Sequence, residues 1–320
     1  MSLIRSLYTH LISNRKREVE GWHKRYVEFT KSVNVVRDAL RSGHDIQNNT
    51  TYEGTTFEKE ADAWGAFARH LIYEKSNGIS SRGQSVLREA HFSKFIKDPA
   101  FVSVLAELIT APTKANFDTF KAAWEKARQQ YGADRNPLLI NRTLAACTTE
   151  VSTTVDAGDF NFVYNWMKRE GDFQPNDAKT DWYEQNVEVV KFLRDLFTDD
   201  LTNGVTDNHY LNMFVWYLFG YISNPFTIKK QVVKYGAPGT GKTYAAKQNA
   251  QQVFDIWAAK YENFEPRPSY DQCVKVVQFH PSYGYEDFIE GLRPILTADG
   301  QPQLKLQNGV FKEFCKQAGT

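Results

Sequence analysis

Apolar residues recur three and four positions apart through most of the first 225 residues, the spacing of one helical face. Val19–Leu40 shows it with Trp22, Tyr26, Phe29, Val33 and Val36, and Phe57–Tyr73 with Ala61, Trp64, Phe67, Ala68 and Leu71. The pattern continues through Phe92–Ile96, Phe101–Ile109, Phe117–Gln130, Pro137–Cys147, Phe160–Met167, Trp182–Phe197 and Tyr210–Ile222, with a short helix also expected at Leu3–Ile12. Pro99 and Pro112 punctuate it. Ser42–Gly54 and Asp199–Asp207 are polar and rich in turn formers, so they read as loops, the second as a candidate boundary. Thr148–Asp156 is β-like or extended. After Phe226 the pattern changes. Gln231–Tyr235 and Cys273–Phe279 are short apolar runs expected as neighbouring parallel strands. Thr243–Lys260 reads as a helix, Ile295–Gln307 as a hairpin around Asp299-Gly300, and Asn308–Phe311 as the opening of a last helix. The expected organisation is a mainly α N-terminal domain over residues 1–225, followed by part of an α/β P-loop domain over 226–320.

The stretch between the first expected strand and the helix carries chemistry. Gly236-Ala237-Pro238-Gly239-Thr240-Gly241-Lys242-Thr243 fits the phosphate-binding loop pattern G-x-x-x-x-G-K-[ST]. Glycines let the backbone take positive φ and approach a triphosphate closely. Successive N–H groups and the N-terminus of the following helix then offer an anion site. Lys242 is expected to reach the β- and γ-phosphates, and Thr243 to ligate Mg²⁺. With Tyr244 the candidate nucleotide-binding residues are complete, and the cofactors expected are ATP or GTP with Mg²⁺.

Composition narrows the rest. A hydrophobic fraction of 42% and an aromatic fraction of 14% over 320 residues fill real cores and exclude wholesale disorder. Net charge is +1, with 27 basic against 29 acidic residues before Phe226, so any nucleic-acid surface must be a local patch. Arg15, Lys16, Arg17 and Arg82 are the candidate phosphate contacts, although Glu18 and Glu20 favour a solvated helix start for the first three. Phe160, Phe162, Tyr164, Trp166, Trp182, Tyr183, Phe192 and Phe197 are numerous enough to suggest base stacking, but their helical spacing favours core packing. Three widely spaced cysteines, Cys147, Cys273 and Cys315, suit a reducing cytoplasmic compartment. The seven histidines show no ligand spacing, so no zinc site is expected. Tyr210–Ile222 is too short to span a bilayer and contains Asn212; no membrane partner is expected.

Three segments together, GAPGTGKTYAAK, VVQFHPSYGYEDFIEGLRP and NGVFKEFCKQA, resemble the AAA+ motor of McrB-type proteins, the NTPase subunits of modification-dependent restriction systems. The resemblance covers about the last quarter of the chain, and the middle segment is the most diagnostic. Ala237 stands where that family often has proline. The resemblance implies a ring-forming homo-oligomer, an McrC-like nuclease partner and a DNA target; the crowding of Tyr283, Tyr285, Glu286, Asp287, Phe288, Glu290 and Arg293 in His280–Pro294 reads as serving ring assembly or partner coupling or, alternatively, as a local brace. It also implies a Walker B pair, sensors, an arginine finger and a nucleotide-preference motif beyond these 320 residues. Weak nucleotide binding and little hydrolysis are therefore expected of this stretch alone. A non-enzymatic nucleic-acid or protein binding module with a remnant P-loop, or a protein-remodelling ATPase, are the alternatives left open.

Overall fold

The computed structural model describes residues 2–47, 49–74, 77–79, 87–176, 178–223, 232–260, 269–296 and 300–318. The chain divides into two compact units, Met1–Lys234 and Tyr235–Thr320.

The first unit is helical. Its helices are α1 (Leu3–Tyr8), α2 (Lys16–Arg41), α3 (Ala63–Ile72), α4 (Glu89–Phe95), α5 (Pro99–Thr110), α6 (Lys114–Tyr131), α7 (Pro137–Cys147), α8 (Ala157–Glu170), α9 (Trp182–Leu196), α10 (Thr198–Thr202) and α11 (Asn208–Ile222). A π-helical turn, Thr9–Ser13, follows α1, and a 3₁₀ turn, Asn49–Tyr52, precedes α3. The long α2 is the axis, packing on α5, α7 and α11. Its Val19, Tyr26, Val33 and Val36 are fully buried, as the periodicity requires. Aspartates start many of the helices by accepting from the first free N–H groups. Asp98 does so ahead of Pro99, Asp156 ahead of α8, Asp181 ahead of α9 and Asp207 ahead of α11. The same device shortens α3: Asp62 accepts from the Gly65 N–H at 2.9 Å, so the helix begins at Ala63 and not at Phe57.

Two expectations for this unit change in detail. Within Thr148–Asp156 the run Val151–Val155 is buried, yet the stretch forms no strand. Its backbone is satisfied by asparagines instead: Ser152 N–H donates to Asn186 Oδ1 at 2.7 Å, and Asn212 Nδ2 donates to the Thr149 carbonyl at 2.8 Å. Asp199–Asp207 is partly helical and lies inside the first unit, where Asp200 binds the Arg5 guanidinium at 2.7 Å. The aromatic cluster divides: Phe160, Tyr164 and Phe197 are core residues, while Phe162 is exposed.

The second unit contains α12 (Lys242–Lys260), α13 (Tyr270–Cys273), α14 (Tyr285–Phe288), strands β1 (Glu290–Leu296) and β2 (Pro302–Asn308), and α15 (Val310–Ala318). The strands form an antiparallel hairpin in which Leu292 faces Leu306 and Arg293 faces Lys305. The expected hairpin is thus present but starts five residues earlier, at Glu290; Asp299 lies outside the described residues. The parallel strands expected at Gln231–Tyr235 and Cys273–Phe279 are not formed among the described residues. Val233, Tyr235, Val276 and Phe279 are 87%, 93%, 60% and 64% exposed. A parallel strand needs hydrogen-bonded neighbours and helices over both faces, and among the described residues neither run pairs with another strand. No helix among the described residues is long and apolar enough to cross a membrane.

Candidate functional site

The glycine-rich loop takes the backbone conformation its composition allows. Gly236, Gly239 and Gly241 have φ of 148°, 77° and 74°. A Cβ on Gly239 or Gly241 would meet nothing within 4 Å, so the left-handed backbone, and not crowding, is what calls for glycine there. The Thr240 hydroxyl closes the loop on the Ala237 carbonyl at 2.8 Å. The chain enters α12 at once, with the Ala245 N–H bonded to the Gly241 carbonyl. Lys242 curls back over the loop. Its ammonium donates to the carbonyls of Gly236 and Ala237, at 2.9 and 2.6 Å, and lies 3.3 Å from Thr240 Oγ1. Three donors on one cation are therefore held by neutral acceptors on an exposed loop. Phosphate oxygens, being charged, form stronger bonds to the same donors. Thr243 and Tyr244 occupy the exposed first turn of α12. The loop thus brings Gly236–Tyr244 together at the start of a 19-residue helix, an arrangement whose free N–H groups and helix dipole suit an anion.

The segment His280–Pro294 is a packed motif of its own. Phe288 and Leu292 do not share a helix as their spacing suggests: α14 ends at Phe288, and Leu292 lies on β1, largely exposed. Asp287 organises the turn by accepting from the Gly284 N–H at 2.9 Å and from Arg293 at 2.7 Å. The Gly284 bond first, then Arg293, hold its carboxyl below the ordinary range. Phe288 stacks on Phe311 of α15 at 5.1 Å, and Lys312 pairs with Glu290. Gly309 lies against this turn with its N–H on the Ile289 carbonyl at 2.6 Å. The second and third resemblance segments are therefore parts of one folded knot.

The other candidate contacts are not gathered. Arg15 is paired with Glu18, its Nε 2.9 Å from the carboxylate, and Arg82 lies outside the described residues. Sequence spacing does not indicate a cluster formed by His23, Asp207 and His209, whose donor atoms lie within 4.8 Å of one another. His23 and Asp207 are 184 positions apart, so only the fold joins them. The Asp207–His209 proximity was the one local hint.

The chain shows similarity to the type IV methyl-directed restriction enzyme EcoKMcrB subunit of Escherichia coli (strain K12), 39% identical over 92 residues. The match takes in 29% of this chain and 16% of that protein. The similarity is thus to a restriction-system subunit, over a minority of either chain. The chain matches no protein-family model and no solved structure.

Proposed function

We propose that Gly236–Tyr244 binds the triphosphate of ATP or GTP together with Mg²⁺, and that the chain serves as an McrB-like motor subunit of a restriction system. The observation that carries this reading is the loop of three left-handed or extended-positive glycines with Lys242 folded over it at the head of α12. The similarity to the EcoKMcrB subunit supports the restriction context. In this reading the loop N–H groups and Lys242 hold the β- and γ-phosphates, Lys242 exchanging its carbonyl partners for phosphate oxygens. Thr243 offers its hydroxyl to Mg²⁺, which neutralises phosphate charge when bound. Hydrolysis needs in addition a carboxylate that holds the metal and a group that orients water. The loop supplies neither, so binding is the activity assigned to it. A ring of several copies, an McrC-like nuclease and DNA held by the helical unit complete the proposal.

Titration calorimetry with MgATP and, separately, MgGTP tests it on the 320-residue chain. Heat of binding is expected with at least one of the two and is expected to vanish in Lys242→Ala. That lysine is half-buried, and its hydrogen bonds to Gly236, Ala237 and Thr240 stay within its own loop, so the fold should persist. Equal affinity of wild type and Lys242→Ala would show that the triphosphate sits elsewhere.

A further inference from the structure

His23, Asp207 and His209 meet within the first unit, outside the residues assigned to nucleotide, and their construction is specific. Asp207 uses its two oxygens differently. Oδ1 accepts from the N–H groups of His209 and Tyr210, at 2.8 and 3.0 Å, and so starts α11. Oδ2 is turned the other way, to His23 Nε2 on α2 at 2.7 Å. The His23 ring is fixed by stacking flat on Tyr210, with centroids 3.6 Å apart and planes 6° apart. The His209 ring is fixed edge-on to Tyr26 at 4.7 Å. Its Nδ1 lies 3.7 Å from Asp207 Oδ1, beyond hydrogen-bond reach, and its Nε2 is buried with no hydrogen-bond partner. An imidazole with its Nε2 buried and unpartnered, beside a second imidazole and a carboxylate, is a costly arrangement for hydrogen bonding alone. It is an ordinary one for metal ligation.

We propose that His23, Asp207 and His209 bind one divalent transition-type cation, with Zn²⁺ the best fit, which clamps α2 to the start of α11. Two imidazoles and one carboxylate oxygen are the donor set that prefers zinc, cobalt or nickel over magnesium or calcium. Metal–ligand bonds of about 2.1 Å put tetrahedral donors about 3.4 Å apart. The His23–Asp207 pair opens slightly to reach that spacing, and the farthest donors, within 4.8 Å now, close on it. The two histidine side chains are 16% and 19% exposed and Asp207 is 44% exposed, so the cluster is sheltered yet reachable by solvent, and water would be the fourth ligand. Asp207 Oδ1 keeps its role at the helix start while Oδ2 serves the cation. Both rings are already held by Tyr210 and Tyr26, which reduces the ordering that binding requires.

The test uses the full chain, stripped with a chelator and dialysed. Titration with Zn²⁺ is followed by calorimetry, and with Co²⁺ by its visible ligand-field absorption. Wild type is expected to take up one equivalent, to show the intense bands of four-coordinate cobalt, and to unfold at higher temperature when loaded. His23→Gln and His209→Gln are expected to keep the helical circular-dichroism spectrum. Each should weaken binding by more than the roughly 10- to 100-fold that follows changes around a ligand shell. Should either fail to fold, Asp207→Asn retains an equally good helix start and must still lose the cation. No uptake by the wild type overturns the proposal. So does uptake unchanged in these variants, which would place the cation on other groups such as His280 or Cys315.

Discussion

Gly309 and Gly239 are required for opposite reasons, and that difference can be measured. A Cβ on Gly309 would lie 2.4 Å from the Phe288 carbonyl carbon and 2.6 Å from the Ile289 nitrogen, both backbone atoms that cannot step aside. Gly309→Ala is therefore expected to cost the second unit about 1–3 kcal/mol or more, by forcing the α14 turn away from α15. Gly239 has open space but a φ of 77°, so Gly239→Ala is expected to cost about 1–2 kcal/mol of loop conformation while leaving the rest folded. Limited proteolysis should detect the first change and nucleotide titration the second; a Gly309→Ala protein as resistant as wild type would contradict the packing described. The glycine-rich loop proposed to hold phosphate could be picked out in the sequence because its candidate groups are contiguous: backbone, lysine and hydroxyl lie within eight residues. The His23–Asp207–His209 cluster was not, since spacing rules see neighbours along the chain and this cluster is made by tertiary packing. The sequence-based expectation of no zinc site rested on the same rule.

Among elements, the helices of the first unit were readable from their apolar stripes, and α7 spans the expected Pro137–Cys147. Their ends were less so, because a capping aspartate such as Asp62 outweighs an apolar pattern that runs past it. The strands expected before and after α12 failed because an apolar run shows a wish to be covered, not what covers it. Asn212 was visible as the polar interruption of α11, and its role is now clear. Fully buried, it donates to the Thr149 carbonyl at 2.8 Å and to the Tyr26 hydroxyl oxygen at 3.2 Å. Asn212→Leu is expected to destabilise the first unit by about 1–3 kcal/mol, because the buried Tyr26 hydroxyl loses this donor and the Thr149 carbonyl keeps only Arg194 Nη2, at 2.7 Å. The urea midpoint checks this; an unchanged midpoint would mean that the two bonds made by Asn212 contribute nothing net.

For the whole molecule, buried acids set the response to alkali. Burial pushes the Cys147 thiol from its ordinary 9.0 to about 12, with Arg37 pulling weakly the other way, and the Tyr26 hydroxyl from 10.0 to about 12. Burial raises Tyr8 and Tyr52 as well. All are neutral when folded, and the unfolded chain releases these protons first. The unfolded state thus binds fewer protons above pH 9, and stability falls as pH rises. It is full below about pH 9 and declines through about pH 12, by up to about 1.4 kcal/mol per pH unit for each group. Urea unfolding at successive pH values should show the fall steepening above pH 10, and Cys147→Ala should remove the earliest part of it. A midpoint flat from pH 8 to 11 would sink this account.

The first helix of the chain finds its partners almost at the end of its own unit. Arg5 binds Asp200 and the Leu196 carbonyl, Tyr8 packs on Phe197 and Phe214, and His23 meets Asp207. During synthesis at about 5–20 residues per second, α1 waits on the order of 10–40 s before residues near 200 leave the ribosome, whereas α2 can pack earlier on α5 and α7. The apolar face of α1 therefore stays uncovered while most of this unit is made, a target for chaperones, and the last fifth of the unit acts as the clasp that releases it.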